Sequence, residues 1–206
     1  MVIYRPEIIP VLQEMLDCWQ ELAREKGLKG IAFAYQRSEY DHRTDKAGNM
    51  FQYGIEYQPS YIKNKQDKEL SMIMKRSLNM VFSKLPFQLK RWNAYCSSYD
   101  KAWHEILKMQ PRDEKMIPGA FVNWDATPRH KRRGSFYLGV TPEKFKKYLS
   151  AQIKRAKEVY HKDMLFMFAW NEWGEGGYLE PDEQNGYQML ESVREALKEN
   201  GEWPVE

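Results

Sequence analysis

Little in this sequence marks a special compartment or a special solvent. Its 206 residues include two cysteines, Cys18 and Cys96, too far apart for a metal module and too few for a disulfide framework. No run approaches the roughly eighteen consecutive apolar residues of a membrane-spanning helix. The start, Met1-Val-Ile-Tyr-Arg-Pro6, lacks the apolar segment of a secretory leader. The expectation is a cytoplasmic chain in a reducing environment, with Cys18 a buried free thiol on the apolar stripe of a helix. Neither sign of charge dominates: 32 basic and 29 acidic residues leave a net +3. The one dense basic run, Arg129-His-Lys-Arg-Arg133, sits in a single loop without a recognition motif, so no nucleic-acid partner is expected. An Asp-x-Asp metal motif and a glycine-rich phosphate loop are both missing. His104, His130 and His161 lack ligand spacing, and His42, within Asp41-His-Arg-Thr-Asp45, is only a weak metal candidate. No cofactor and no metal are predicted.

Aromatics are plentiful, at 14% of residues, beside 42% hydrophobic and 30% charged. That composition fits one globular domain over residues 1–206. Short apolar runs at 2–4, 30–35, 51–57, 117–122 and 165–170 read as five strands, the last fully buried. Between them lie helical patterns over 11–23, 70–81, 100–109 and 141–160, with a final one over 182–199. The fourth helix carries Thr141 as N-cap, Pro142 in its first position and Glu143 in its first turn. Strands alternating with amphipathic helices predict an α/β fold with a parallel sheet and right-handed crossovers.

The densest chemistry follows the fifth strand, in Phe168-Ala-Trp-Asn-Glu-Trp-Gly-Glu-Gly-Gly-Tyr-Leu-Glu-Pro-Asp182. Glu172 and Glu175, three residues apart, can bind hydroxyls or move protons. The indoles offer flat apolar faces and the glycines let backbone approach a ligand. Carboxylates beside aromatic faces suit a sugar. The plainer alternative makes the tryptophans core and the glutamates caps of the next helix. Other strand ends supply Tyr4 and Arg5, then Tyr35, Gln36 and Arg37, then Glu56, Tyr57 and Gln58, then Asn123 to Arg129. In a parallel α/β barrel such ends form the site.

The block Trp170-Asn-Glu-Trp-Gly-Glu-Gly176, with Tyr178-Leu-Glu-Pro-Asp182 and Gly186-Tyr187, resembles the C-terminal signature of WbsX-like proteins. These belong to bacterial polysaccharide biosynthesis and carry a domain related to glycoside hydrolase family 99. Ile3-Tyr-Arg-Pro-Glu7, Gly119-Ala-Phe-Val-Asn-Trp-Asp-Ala-Thr-Pro-Arg129 and Thr141-Pro-Glu143 extend the resemblance over nearly the whole chain. It implies the C-terminal portion, about five β/α units, of a (β/α)₈ TIM-type barrel, without the first three. It further implies that Glu172 deprotonates a sugar 2-hydroxyl, which attacks its own anomeric carbon to give an anhydro-sugar. Glu175 would protonate the leaving group and then activate water. Gly174 stands where those enzymes usually have histidine, which bears on the substrate rather than the mechanism.

The expected catalytic pair is therefore Glu172 and Glu175. Expected substrate-binding residues are Trp124, Asp125, Arg129, Asn171, Trp173, Tyr178, Glu56 and Tyr35. For Trp124 and Trp173 core packing is the competing role, for Asp125 and Arg129 a structural ion pair, and for Asn171 a strand-end hydrogen bond. Expected partners are a glycan or glycosyl donor and either a second chain completing the barrel or further copies of this one. The leading function is action on glycosidic bonds in bacterial surface-polysaccharide (for example lipopolysaccharide) metabolism, by hydrolysis or by transfer. The alternative is a catalytically idle glycan-binding or assembly subunit.

Overall fold

A computed structural model describes residues 1–37, 48–62, 96–131 and 134–204. The helix expected over 70–81 and the His42 candidate lie outside these residues. In chain order the elements begin with β1 (Val2–Ile3), α1 (Leu12–Glu25), β2 (Ala34–Arg37), β3 (Tyr53–Glu56), β4 (Cys96–Ser98) and α2 (Tyr99–Lys108). There follow β5 (Met116–Ile117), β6 (Gly119–Phe121), α3 (Thr127–His130), β7 (Phe136–Leu138) and α4 (Pro142–Glu158). The last are β8 (Phe166–Phe168), β9 (Asn171–Glu172), β10 (Gly177–Tyr178) and α5 (Gln188–Glu199).

Parallel pairings join β1 to β2, β2 to β3, β3 to β5, and β6 to β8. The strand expected over 117–122 is divided at Pro118. Proline has no N–H to give a ladder, so the two halves serve different neighbours: β5 pairs with β3, and β6 with β8. The Pro118 carbonyl still accepts from the Phe166 N–H, at 3.2 Å. All five expected strand positions are thus occupied, by shorter strands in chain order. The α/β class with parallel sheets stands.

The expectation of a fully buried fifth strand needs correcting. Phe168 is buried but Phe166 and Trp170 are exposed. Among the described residues β8 has β6 on one side and no strand on the other, and β1 likewise has only β2. The small parallel pair of β4 with β7 was not expected.

Helices supply the two apolar clusters. Leu12 and Leu16 of α1 pack with Ile3, Phe33, Tyr35 and Phe51. Cys18 does not share that stripe: it is exposed. Two residues beyond Leu16 is about 200° around a helix, on the far face. In the larger cluster the Trp103 ring of α2 is sandwiched between Phe121, 5.4 Å away, and Tyr148 of α4, 5.6 Å away. The N-terminus of α4 is as the sequence predicts: Thr141 Oγ1 accepts from the Lys144 N–H at 3.3 Å, with Pro142 leading the helix. Asp100 on α2 ties the two helices together, accepting from Lys144 Nζ and the Tyr148 hydroxyl, each at 2.6 Å.

The final helix starts at Gln188 rather than near Asp182. Asp182 instead closes a turn, its carboxylate accepting from the backbone and side-chain amide of Asn185 while its carbonyl accepts from the Gly186 N–H at 2.8 Å. Burial, which would raise the Asp182 pKa, is outweighed by these bonds and one from Tyr178, and the carboxyl sits below its ordinary range. Among the described residues no helix is long and apolar enough to cross a membrane.

Candidate active site

The Trp-Asn-Glu-Trp block forms a hairpin where a strand-to-helix turn was expected. β9 and β10 run antiparallel, with Glu172 opposite Gly177 and Asn171 opposite Tyr178. A 3₁₀ turn, Trp173–Glu175, joins them. Gly176 closes the turn at φ 64°, a left-handed conformation in which a side chain is strained. A Cβ there would also stand 3.1 Å from the Asp125 backbone nitrogen. The stretch through Gly186 separates this hairpin from α5, so Glu172 and Glu175 do not cap a helix.

Two contacts fasten the hairpin to the loop after β6. The Asp125 N–H donates to the Glu175 carbonyl at 2.7 Å. Arg129 Nη1 lies 2.9 Å from Glu175 Oε1, with the glutamate side chain 17% exposed and the arginine 60%. Arg129 is carried by the short helix α3, whose first turn is held by Asp125: its Oδ1 accepts from the Thr127 N–H at 2.9 Å and the Thr127 hydroxyl at 2.5 Å. The anticipated Asp125–Arg129 pair is thus replaced by two separate engagements, Asp125 with its own turn and Arg129 with Glu175.

The aromatic residues divide. Trp173 stacks on Tyr178 with centroids 3.8 Å apart and 12° between planes, and its indole N–H donates to Glu180 Oε2 at 2.6 Å. About half of Trp173 remains exposed. Burial first, then the hydrogen bond to Asp182, raises the Tyr178 phenol above its ordinary pKa. Trp124 is half-buried, its ring 5.3 Å from Phe168 and its N–H donating to Ser135 Oγ at 2.9 Å. Asn171 is exposed on β9.

Two expected binders stand elsewhere. Tyr35 is buried against Phe51 beneath α1, with Lys115 Nζ over its ring. Glu56 is wholly buried and accepts from the Tyr160 hydroxyl at 2.8 Å, beyond the end of α4. Successive residues of a strand face opposite ways, and Tyr57 stands on the hairpin side, its ring edge-on to Phe168; burial first, then Glu175, Tyr4 and Glu172, raises its phenol pKa. Period-two alternation through 51–57 is the sequence signal that separates Tyr57 from Glu56. Tyr57 after β3 and Arg129 after β6 thus both stand against the hairpin that follows β8, Tyr57 through Phe168 and Arg129 through Glu175. A recess of about 620 Å³ at the opposite ends of the strands, lined by Tyr53, Lys115, Tyr160 and His161 among others, contains none of the expected site residues.

A family model described as glycosyltransferase WbsX matches residues 1–193. An uncharacterized protein called WxcX, from Xanthomonas campestris pv. campestris strain B100, is 28% identical over 203 residues, covering 96% of this chain and 26% of that protein. Its counterpart in a second strain of that organism gives the same identity and coverage. This chain therefore spans about a quarter of the length of these relatives. A solved structure called glycoside hydrolase-like protein superposes with a TM-score of 0.51 over 95% of this chain and 53% of its own, at 11% identity. That is a likeness of fold.

Proposed function

The chain belongs to the glycosyltransferase WbsX family, and on that premise we propose that it is a carbohydrate-active protein of bacterial surface-polysaccharide metabolism, acting on glycosidic bonds through Glu172 and Glu175. The observation that supports the proposal is the hairpin, which carries both glutamates and is fastened to the loop after β6 by the Asp125 N–H and by Arg129.

In the proposed reaction Glu172 removes the proton of a sugar 2-hydroxyl. That oxygen attacks the anomeric carbon as the bond to the leaving oxygen breaks, and Glu175 supplies the leaving oxygen with a proton. Glu175, now a base, takes a proton from water, or from an acceptor hydroxyl in transfer, which opens the anhydro-sugar. The 2-oxygen regains its proton from Glu172. For the first step Glu175 must be protonated and parted from Arg129. The finer fold reading belongs to the same proposal: the five-strand run is an arc of a (β/α)₈ barrel, and strands of another segment or chain cover the β1 and β8 edges. Sedimentation of the chain as a stable monomer that resists association would count against the second part.

The Arg129–Glu175 ion pair favours a second reading, a glycan-binding or assembly role without turnover. Two variants compared on an activated and a natural-type glycoside separate the readings. Glu175→Gln should lose roughly 10²–10⁴-fold on the natural-type substrate and far less on the activated one, which needs little protonation. Glu172→Gln should impair both alike. Equal losses for Glu175→Gln on both substrates contradict its role as acid, and full activity in both variants removes the pair from the chemistry.

A further inference from the structure

Tyr57 stands just past the end of β3 with its ring held and, among the described residues, no hydrogen-bond partner for its hydroxyl. The ring meets Phe168 edge-on, with centroids 5.7 Å apart and planes at 88°. Phe168 in turn crowds Gly177: a Cβ on that glycine would fall 2.1 Å from the phenylalanine ring. Gly177 is the strand partner of Glu172. These contacts fix the phenol beside the hairpin. Among the described residues no hydrogen bond reaches its oxygen, and the side chain is half-buried. The oxygen is not among the side-chain atoms sealed from solvent, so a ligand oxygen can reach it in place of water.

We propose that Tyr57 binds substrate, its O–H donating to an oxygen of a sugar ring seated between Glu172 and Glu175. The inference rests on reading the carboxylate pair as a glycan site. Burial foremost, then the two carboxylates and Tyr4, holds the phenol protonated throughout the physiological range, so it acts as a donor. An acceptor there has to tolerate two neighbouring carboxylates. A hydroxyl does so, because it accepts from Tyr57 and donates to a glutamate at once. A phosphate group would be repelled. The substrate class is thus a neutral ring bearing several hydroxyls, gripped from three sides.

Protonated hydroxylated piperidines (gluco-, manno- and galacto-configured iminosugars) test this against piperidine hydrochloride, which has the charge without the hydroxyls. Calorimetric Kd values are measured for the wild type, Tyr57→Phe and the double variant Glu172→Gln/Glu175→Gln. Tyr57→Phe keeps the ring on Phe168, so its melting point should match the wild type. Loss of one neutral hydrogen bond should weaken the best iminosugar roughly two- to ten-fold and leave piperidinium unchanged. Unchanged iminosugar binding in Tyr57→Phe, with both probes lost in the double variant, overturns the role of Tyr57 and leaves the carboxylate site standing. A wild type that binds no iminosugar, or a double variant that binds them undiminished, overturns both. In the wild type alone, iminosugars that bind no better than piperidinium also overturn the hydroxyl contact.

Discussion

Arg129 reaches from the loop after β6 to set its guanidinium 2.9 Å from Glu175 on the hairpin after β8. Its own side chain is largely in solvent, and exposed ion pairs contribute about 0–1 kcal/mol. The Asp125-to-Glu175 backbone bond does not depend on it. Arg129→Ala should therefore lower the unfolding free energy by no more than about 1 kcal/mol, read from urea midpoints. The same variant should tighten binding of a piperidinium probe, since a competing cation is gone. Weaker probe binding would show that Arg129 positions Glu175 rather than occupying it.

Gly174 lies in the turn between the two glutamates, and a Cβ added there would come 3.2 Å from Glu172 Oε1. The glycine φ does not require a left-handed backbone, and the carboxylate can rotate by the few tenths of an ångström needed. Gly174→His should fold normally, with a melting point within about 4 °C of the wild type. Its imidazole would stand against Glu172, so the preference among the iminosugars should change. Identical Kd values across the set would place residue 174 outside the ligand's reach.

The Asp100 carboxyl is held below the ordinary range, first by the Lys144 hydrogen bond and then by that of Tyr148. A carboxyl whose pKa is lowered in the folded state stabilises the fold fully above its unfolded value, about 3.9. That contribution is lost as pH falls through the folded value. Asp100→Asn should be less stable than the wild type near pH 7, and the difference should shrink below about pH 4. Urea midpoints from pH 7 to pH 3 provide the check, and a gap that stays constant would contradict the linkage.

Cys18 is exposed on α1, whereas Cys96 is half-buried and burial raises its thiol pKa. Thiolate is the reactive form. A thiol reagent should label Cys18 of the native protein faster by roughly an order of magnitude, and both at similar rates in denaturant. Peptide mapping after short labelling reads the order, and Cys96 reacting first would overturn it.

What the sequence made legible was local. The five strand positions and the Thr141 cap are each written in a few neighbouring residues. Pro118 was equally visible, and its missing N–H is why one expected strand became two. The hairpin was not legible, because a glycine cluster after a strand suits a turn into a helix as well as a turn back. Its form depends on Phe168 fitting over Gly177 and on Asp125 binding the Glu175 carbonyl. Tyr35 and Glu56 were misplaced through strand facing, and the Arg129–Glu175 pair spans 46 positions with no local signal.

The turn closed by Asp182 also sets the electrostatics of the site. The partial positive charge at the start of a helix acts only over about its first turn, and the chain enters α5 at Gln188, well past the hairpin. Neither glutamate therefore lies in the first turn of the final helix, as one would in a strand-to-helix turn. The Glu175 carboxylate is countered from another strand's loop by a solvent-facing guanidinium. Added salt should loosen that counterbalance, while changes in the sequence of α5 leave it untouched.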